Sequence, residues 1–217
     1  MDIIVQGRGV DFIAPNEVIL NINFFAKGTS YEEVLNQGVA SVQSFVNEIL
    51  IPNSIGREDM KTRNFVIREE TKYNEVTRTY EKDGFSYSQL AVLKFDFDKE
   101  LLAKIMNSLS KLQTPPLCRV DFGVKDEKEC KKKVLAKAYE DAKSQAEAIA
   151  LASGKELKNC AKVDFKPFTT EYVSNARFNE EMSFGLKDNG AAQAIINTFT
   201  PEDIEISETL YCLWIAE

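Results

Sequence analysis

Hydrophobic and polar residues alternate with a period of two at several places along the chain, which indicates half-buried β-strands. The clearest case runs from Val18 to Phe25, where Val18, Leu20, Ile22 and Phe24 share one face. A strand-like pattern also begins at the first residues. Further strands are predicted at 61–71, 85–97, 120–124, 161–165 and 204–215.

Apolar residues recur with a helical period in three other segments. Helices are predicted from Ser30 to Pro52, from Asp98 to Pro115 and from Asp126 to Ser153. Ser30 and Glu33 have capping-box spacing, Asp98 is a suitable N-cap, and Gly154 fits a helix C-terminus. The polar stretch 73–84 is predicted to be a long hairpin tip, and 166–190 an irregular segment.

The order of these elements predicts an α+β fold. From Val18 to Val124 it reads βαββαβ, the ferredoxin-like arrangement, with an antiparallel sheet and helices on one face. The long third helix and further strands follow. One domain over 1–217 is the simplest interpretation, and two lobes with a boundary near 125 remain an alternative.

Composition narrows the possible chemistry. The 217 residues include 34 acidic and 27 basic side chains, so a polyanion would be repelled unless the positive charges cluster. The absence of histidine removes the commonest general base and every histidine-dependent metal site. The four cysteines form no CxxC pair and are interpreted as buried free thiols. We expect no cofactor and no metal.

No apolar run is long enough for a membrane-spanning helix, and the first residues lack the pattern of a secretory signal. The sequence as it stands therefore predicts a cytoplasmic protein without a transmembrane segment.

Small residues form a regular stripe in the third helix. Ala138, Ala142, Ala146 and Ala150 are spaced four residues apart, which allows another backbone to approach closely. Packing within the same chain is favoured, and contact with a partner subunit is the alternative.

Four segments, in order along the chain, resemble the SIMPL-domain family, which includes bacterial periplasmic immunogenic proteins and a mammalian protein associated with an immune-signalling kinase. They are Val5 to Gly9 with Pro15 to Val18, Gly84 to Gln89, Ala138 to Leu157, and Pro201 to Ser207. The resemblance implies an α+β protein that tends to assemble, and it carries over no catalytic residue. Bacterial members of the family are often exported.

These observations predict a non-enzymatic protein that self-assembles and acts as a structural or protein-interaction module. The candidate surface comprises Ala138, Ala142, Ala146, Phe85 and Tyr87. The alternative is a single-stranded nucleic-acid binder, because βαββαβ is also the RRM order and Phe85 and Tyr87 share one strand face. A third hypothesis is a ligand pocket closed by 166–190.

Sequence motifs that would indicate a nucleotide-binding or charged functional site are weak. The sequence Gly7-Arg8-Gly9 lacks the third glycine and the following helix of a nucleotide-binding loop. Paired carboxylates such as Glu69-Glu70 and the run Lys131-Lys132-Lys133 are interpreted as solvated surface charges.

Overall fold

The structure, a computed structural model, describes residues 1–168 and 200–217. Its strands and helices follow one another as β1 (Asp2–Ile13), β2 (Glu17–Gly28), α1 (Tyr31–Phe45), β3 (Met60–Asn74), β4 (Thr79–Asp96), α2 (Lys99–Leu109), β5 (Leu117–Gly123), α3 (Glu127–Ala152), β6 (Leu157–Asp164) and β7 (Ile204–Ala216). The predicted α+β class and the βαββαβ order are confirmed. Residues 169–190, most of the stretch predicted to be irregular, lie outside the described part.

The chain divides into two compact units. One unit is Asn16–Gly123, which we call the four-stranded unit. The other, the three-stranded unit, combines Met1–Pro15 with the described residues after Gly123, 124–168 and 202–217. Because β1, at the start of the chain, belongs to the same unit as the residues after Gly123, no single boundary in the sequence separates the two units.

The four-stranded unit contains an antiparallel sheet with the strand order β3-β4-β2-β5. Alternate residues of β2 point towards the helices, so that Leu20, Ile22 and Phe24 are buried against α1 and α2. The Phe24 and Phe45 rings meet edge to face with centroids 5.5 Å apart. The opposite face of this sheet carries no helix among the described residues.

Predicted caps define the start of both helices in this unit. The Ser30 hydroxyl accepts a hydrogen bond from the Glu33 amide at 3.2 Å, and Asp98 accepts from Glu100 and Leu101. After Phe45 the first helix widens into a π-helical turn over Val46–Leu50, then ends in a 3₁₀ turn over Ile51–Asn53. Pro52 lies in that last turn, where the sequence predicts the end.

The segment 73–84 is a two-stranded ribbon, which corrects the prediction that all of it forms a long hairpin tip. Pairing of β3 with β4 continues to Asn74 and Thr79, leaving a turn of only four residues. The Tyr73 and Tyr80 rings pack 5.2 Å apart across it. Both faces of the ribbon are solvated, so it lacks the apolar alternation by which a half-buried strand is recognised. Gly84, at φ 93°, lies in a bulge and not in the turn.

The three-stranded unit has the antiparallel order β1-β7-β6 and is covered on one face by α3. Gly154 ends this helix in the left-handed conformation, as predicted, and the Lys155 amide donates to the Ala150 carbonyl. β7 confirms the predicted C-terminal strand, while β6 begins at Leu157, four residues before the predicted start.

Helices of the described residues are all too short or too polar to cross a bilayer.

Candidate interaction surface

Phe85 and Tyr87 lie on the helix side of the four-stranded sheet, which is the wrong face for base stacking. Tyr87 is 1% exposed, and its ring occupies the space that a side chain at Gly38 of α1 would need. It also packs edge to face with Phe65, with centroids 5.3 Å apart. Burial raises the pKa of the Tyr87 hydroxyl. Tyr87 therefore belongs to the core and offers no surface to a nucleic acid or a protein.

Phe85 is half-buried at the end of the same face. Its ring contacts Tyr31 edge to face at 6.2 Å, and the Lys82 ammonium lies 4.3 Å from its centroid. These contacts within the chain occupy the ring, and the buried Tyr87 cannot form a stacking platform with it.

The alanine stripe is also buried inside its own chain. Ala138, Ala142 and Ala146 are fully buried against β1 and β7. Opposite them, Gly7 and Gly9 bring the strand so close that a Cβ on Gly7 would lie 2.0 Å from the Ala138 carbonyl oxygen. The close approach expected from four-residue spacing thus takes place within the three-stranded unit, and these alanines are covered.

The open face of the four-stranded sheet carries an exposed apolar cluster that crosses all four strands. Its members are Phe25 of β2, Val66 of β3, Leu90 of β4 and Leu117 of β5, with exposures of 49%, 41%, 42% and 68%. In the register, Phe25 and Val66 flank Ser88 from either side, and Leu90 follows Ser88 two residues later. Leu117 is opposite Asn23, which separates it from Leu90. We call these four residues the open-face patch.

Charges on this face are mostly paired with one another. Lys94 forms a salt bridge with Glu17, with a nitrogen–oxygen distance of 2.8 Å, and Arg119 forms one with Asp121 at 3.1 Å. Near the other end of β3, Arg68 forms a salt bridge with Glu70 at 2.8 Å, and the Ser86 hydroxyl donates a hydrogen bond to the same carboxylate. These bonds lower the pKa of Glu70, Ser86 contributing most. The centre of the face therefore carries the four apolar side chains with the uncharged Ser88 and Asn23 between them, and the charged side chains around it are mostly paired.

The family profile of SIMPL, described as a protein of unknown function (DUF541), matches residues 3–212. The chain belongs to the SIMPL family. This match covers nearly the whole sequence and confirms the resemblance drawn from its four short segments. No curated protein matches the chain.

The remaining perturbed groups of this SIMPL protein have structural causes. Two hydrogen bonds from Thr29 chiefly lower the pKa of Glu33 at the start of α1. Burial raises the pKa of the Cys118 thiol to about 12 and that of Cys212 to about 11. Within the described residues, no three acidic or cysteine side chains come together in a way that could hold a metal ion.

The open-face patch left a signal in the sequence that alternation alone did not identify. Phe25 follows Phe24, so consecutive phenylalanines must point to opposite faces of β2. Leu90 likewise stands between the helix-facing positions of β4. The available clue was that an apolar residue stands at a position of polar parity in each of β2, β3, β4 and β5.

Proposed function

We propose that this SIMPL protein is a non-enzymatic module that associates with itself through the open face of its four-stranded sheet. The observation that carries the proposal is the open-face patch, an apolar cluster that continues across neighbouring strands instead of being scattered. Contiguous exposed apolar surface on a water-soluble fold is typical of contact sites between proteins.

The surroundings of the patch favour a protein surface over a nucleic acid. Interfaces between proteins combine an apolar centre with a polar rim. Here the polar rim is formed by ion pairs that neutralise one another, and the four apolar side chains are separated by Ser88 and Asn23, whose side chains are hydrogen-bonded to each other at 3.2 Å. A polyanion gains most of its affinity from unpaired lysine and arginine side chains, whereas Arg68, Lys94 and Arg119 on this face are each paired with a carboxylate.

Action by binding, and not by catalysis, is consistent with the titratable groups described above. A catalytic acid or base needs a pKa tuned by its site and a position where substrate can reach it. The lowered carboxyl pKa values arise from surface capping and ion pairing, and the strongly raised thiol pKa values arise from burial. Each shift is accounted for by the fold itself.

Sedimentation velocity over a wide range of protein concentration tests self-association. The wild-type protein should shift towards larger species as concentration rises, and the double variant Phe25→Ser with Leu90→Ser should remain monomeric. Val76→Ser is the matched control, because Val76 is 93% exposed at the tip of the β3–β4 ribbon and lies outside the patch.

Far-UV circular dichroism should show the same fold for all three proteins. A wild-type protein that stays monomeric at the highest concentration would refute self-association. Unchanged association of the double variant would show that another surface is responsible.

A further inference from the structure

Two of the four cysteines lie on adjacent strands of the three-stranded unit, on the same face of its sheet. In the antiparallel pairing of β6 with β7, Cys160 is opposite Trp214 and Cys212 is opposite Val163. Cys212 belongs to the core under α3, and Cys160 packs against that core. The two residues are therefore diagonal neighbours whose side chains point in the same direction.

The two thiols differ in access to solvent. Cys212 is fully buried, whereas Cys160 is partly exposed and its thiol donates to the Lys162 carbonyl at 3.4 Å. The Cys160 thiol also interacts with the Cys212 thiol and with the Tyr139 hydroxyl. Cys160 is thus the one of the two residues that a small oxidant can approach from solvent, and Cys212 lies diagonally across the strand pair from it.

The backbone at this place can adjust. A disulfide needs Cα atoms about 4.4 to 6.8 Å apart, while diagonal neighbours in a regular antiparallel pair are separated by about 7 to 8 Å. The register shifts between Cys160 and Lys162, so β6 is irregular beside the reactive residue. Bulged strands bend and twist more than regular ones, which makes a small approach feasible.

We propose that Cys160 and Cys212 form a reversible disulfide that cross-links β6 to β7 when the protein meets hydrogen peroxide. The Cys160 sulfur first attacks the peroxide, the O–O bond breaks, and Cys160 sulfenic acid and one water are produced. The Cys212 sulfur then attacks the sulfenic sulfur, its proton leaves with the hydroxyl group, and a second water is released. Two thiols and one peroxide thus become one disulfide and two waters.

Burial explains the order of the two steps. Because the pKa of Cys212 is raised to about 11, its thiol stays protonated at neutral pH and is a poor first nucleophile. Cys118 belongs to the core of the four-stranded unit and Cys130 lies in the first turn of α3, so neither is placed between these strands. Such a bond would persist in an oxidising compartment and be reversed by cellular thiols elsewhere.

A single tryptophan provides a direct readout, since Trp214 is the only one in the chain and is paired with Cys160. Disulfides quench nearby indole fluorescence. The folded protein should be treated with hydrogen peroxide and followed by tryptophan fluorescence, intact mass and peptide mapping. We expect quenching, the loss of two hydrogen atoms in mass, a Cys160–Cys212 peptide, and full reversal by dithiothreitol.

Cys160→Ser should abolish both the quenching and the cross-linked peptide, and Cys130→Ser, a matched change at another partly exposed thiol, should retain them. Cys212→Ala provides a second test and should leave Cys160 to oxidise alone. The cross-linked wild type should also melt at a higher temperature, because the bond restricts the unfolded chain. Absence of a Cys160–Cys212 peptide from oxidised wild type, or quenching that persists in Cys160→Ser, would overturn the proposal.

Discussion

Replacing Gly7 of β1 by alanine tests the close packing of strand against helix in the three-stranded unit. The new Cβ would lie 2.0 Å from the Ala138 carbonyl oxygen, 2.6 Å from the Ala142 amide nitrogen and 2.7 Å from the Ala142 Cβ. Two of these atoms belong to the backbone of α3, so no rotation of a side chain can relieve the clash.

The size of the effect follows from the distance that α3 must move. Ordinary van der Waals contact begins at 3.4 Å, so the helix has to retreat from 2.0 to 3.4 Å, or about 1.4 Å at this point. A gap of about 1 Å already removes up to half of the dispersion attraction between packed surfaces. We therefore expect a loss of about 3 kcal/mol or more in the free energy of unfolding, at or above the upper end of usual overpacking effects.

Thermal unfolding followed by Trp214 fluorescence reports on this sheet directly. A loss of about 3 kcal/mol corresponds to a melting temperature lower by about 6 °C or more for a chain of this size. Gly123→Ala is the matched control, because its Cβ would meet only the ends of the Ile19 and Glu17 side chains, at 3.0 and 3.3 Å. A Gly7→Ala protein that melts within about 2 °C of wild type would contradict the packing argument.

Three further predictions concern a bulge, a carboxylate and two thiols. Gly84→Ala should lower the melting temperature, because φ is +93° and the new Cβ would lie 2.3 Å from a carbonyl oxygen of β2; an unchanged melting temperature would contradict this. The Glu33 pKa is lowered in the folded state, so its contribution to stability is present above the unfolded value and is lost as pH falls through the folded value. Urea unfolding across acidic pH should consequently show a weaker pH dependence for Glu33→Gln than for wild type. Because their pKa values are raised to about 12 and about 11, Cys118 and Cys212 should react slowly with a thiol reagent at neutral pH. In denaturant all four cysteines should react. Rapid labelling of Cys118 in the folded protein, located by peptide mapping, would be inconsistent with its burial.

Hydrophobic alternation and helix-capping residues predicted those strands and helix ends that depend on interactions within a few residues. The alternation of β2, the caps at Ser30 and Asp98 and the left-handed Gly154 all follow from interactions within a few residues, and the structure contains each of them. The paired ribbon at 73–84 was not predicted, because a strand solvated on both faces has no apolar period to detect.

Sequence by itself determined the order of elements, the α+β class and the membership of the SIMPL family, because these depend on patterns that persist along the chain. Only the tertiary structure decided which surfaces remain free. Tyr87 and the alanine stripe have the features of contact residues, yet Gly38 of α1 and Gly7 of β1 make room for them inside the fold. The exposure of a side chain depends on which residues, distant in the sequence, pack against it, and these are known only from the tertiary structure. The same structure leaves Phe25 and Leu90 in contact with solvent.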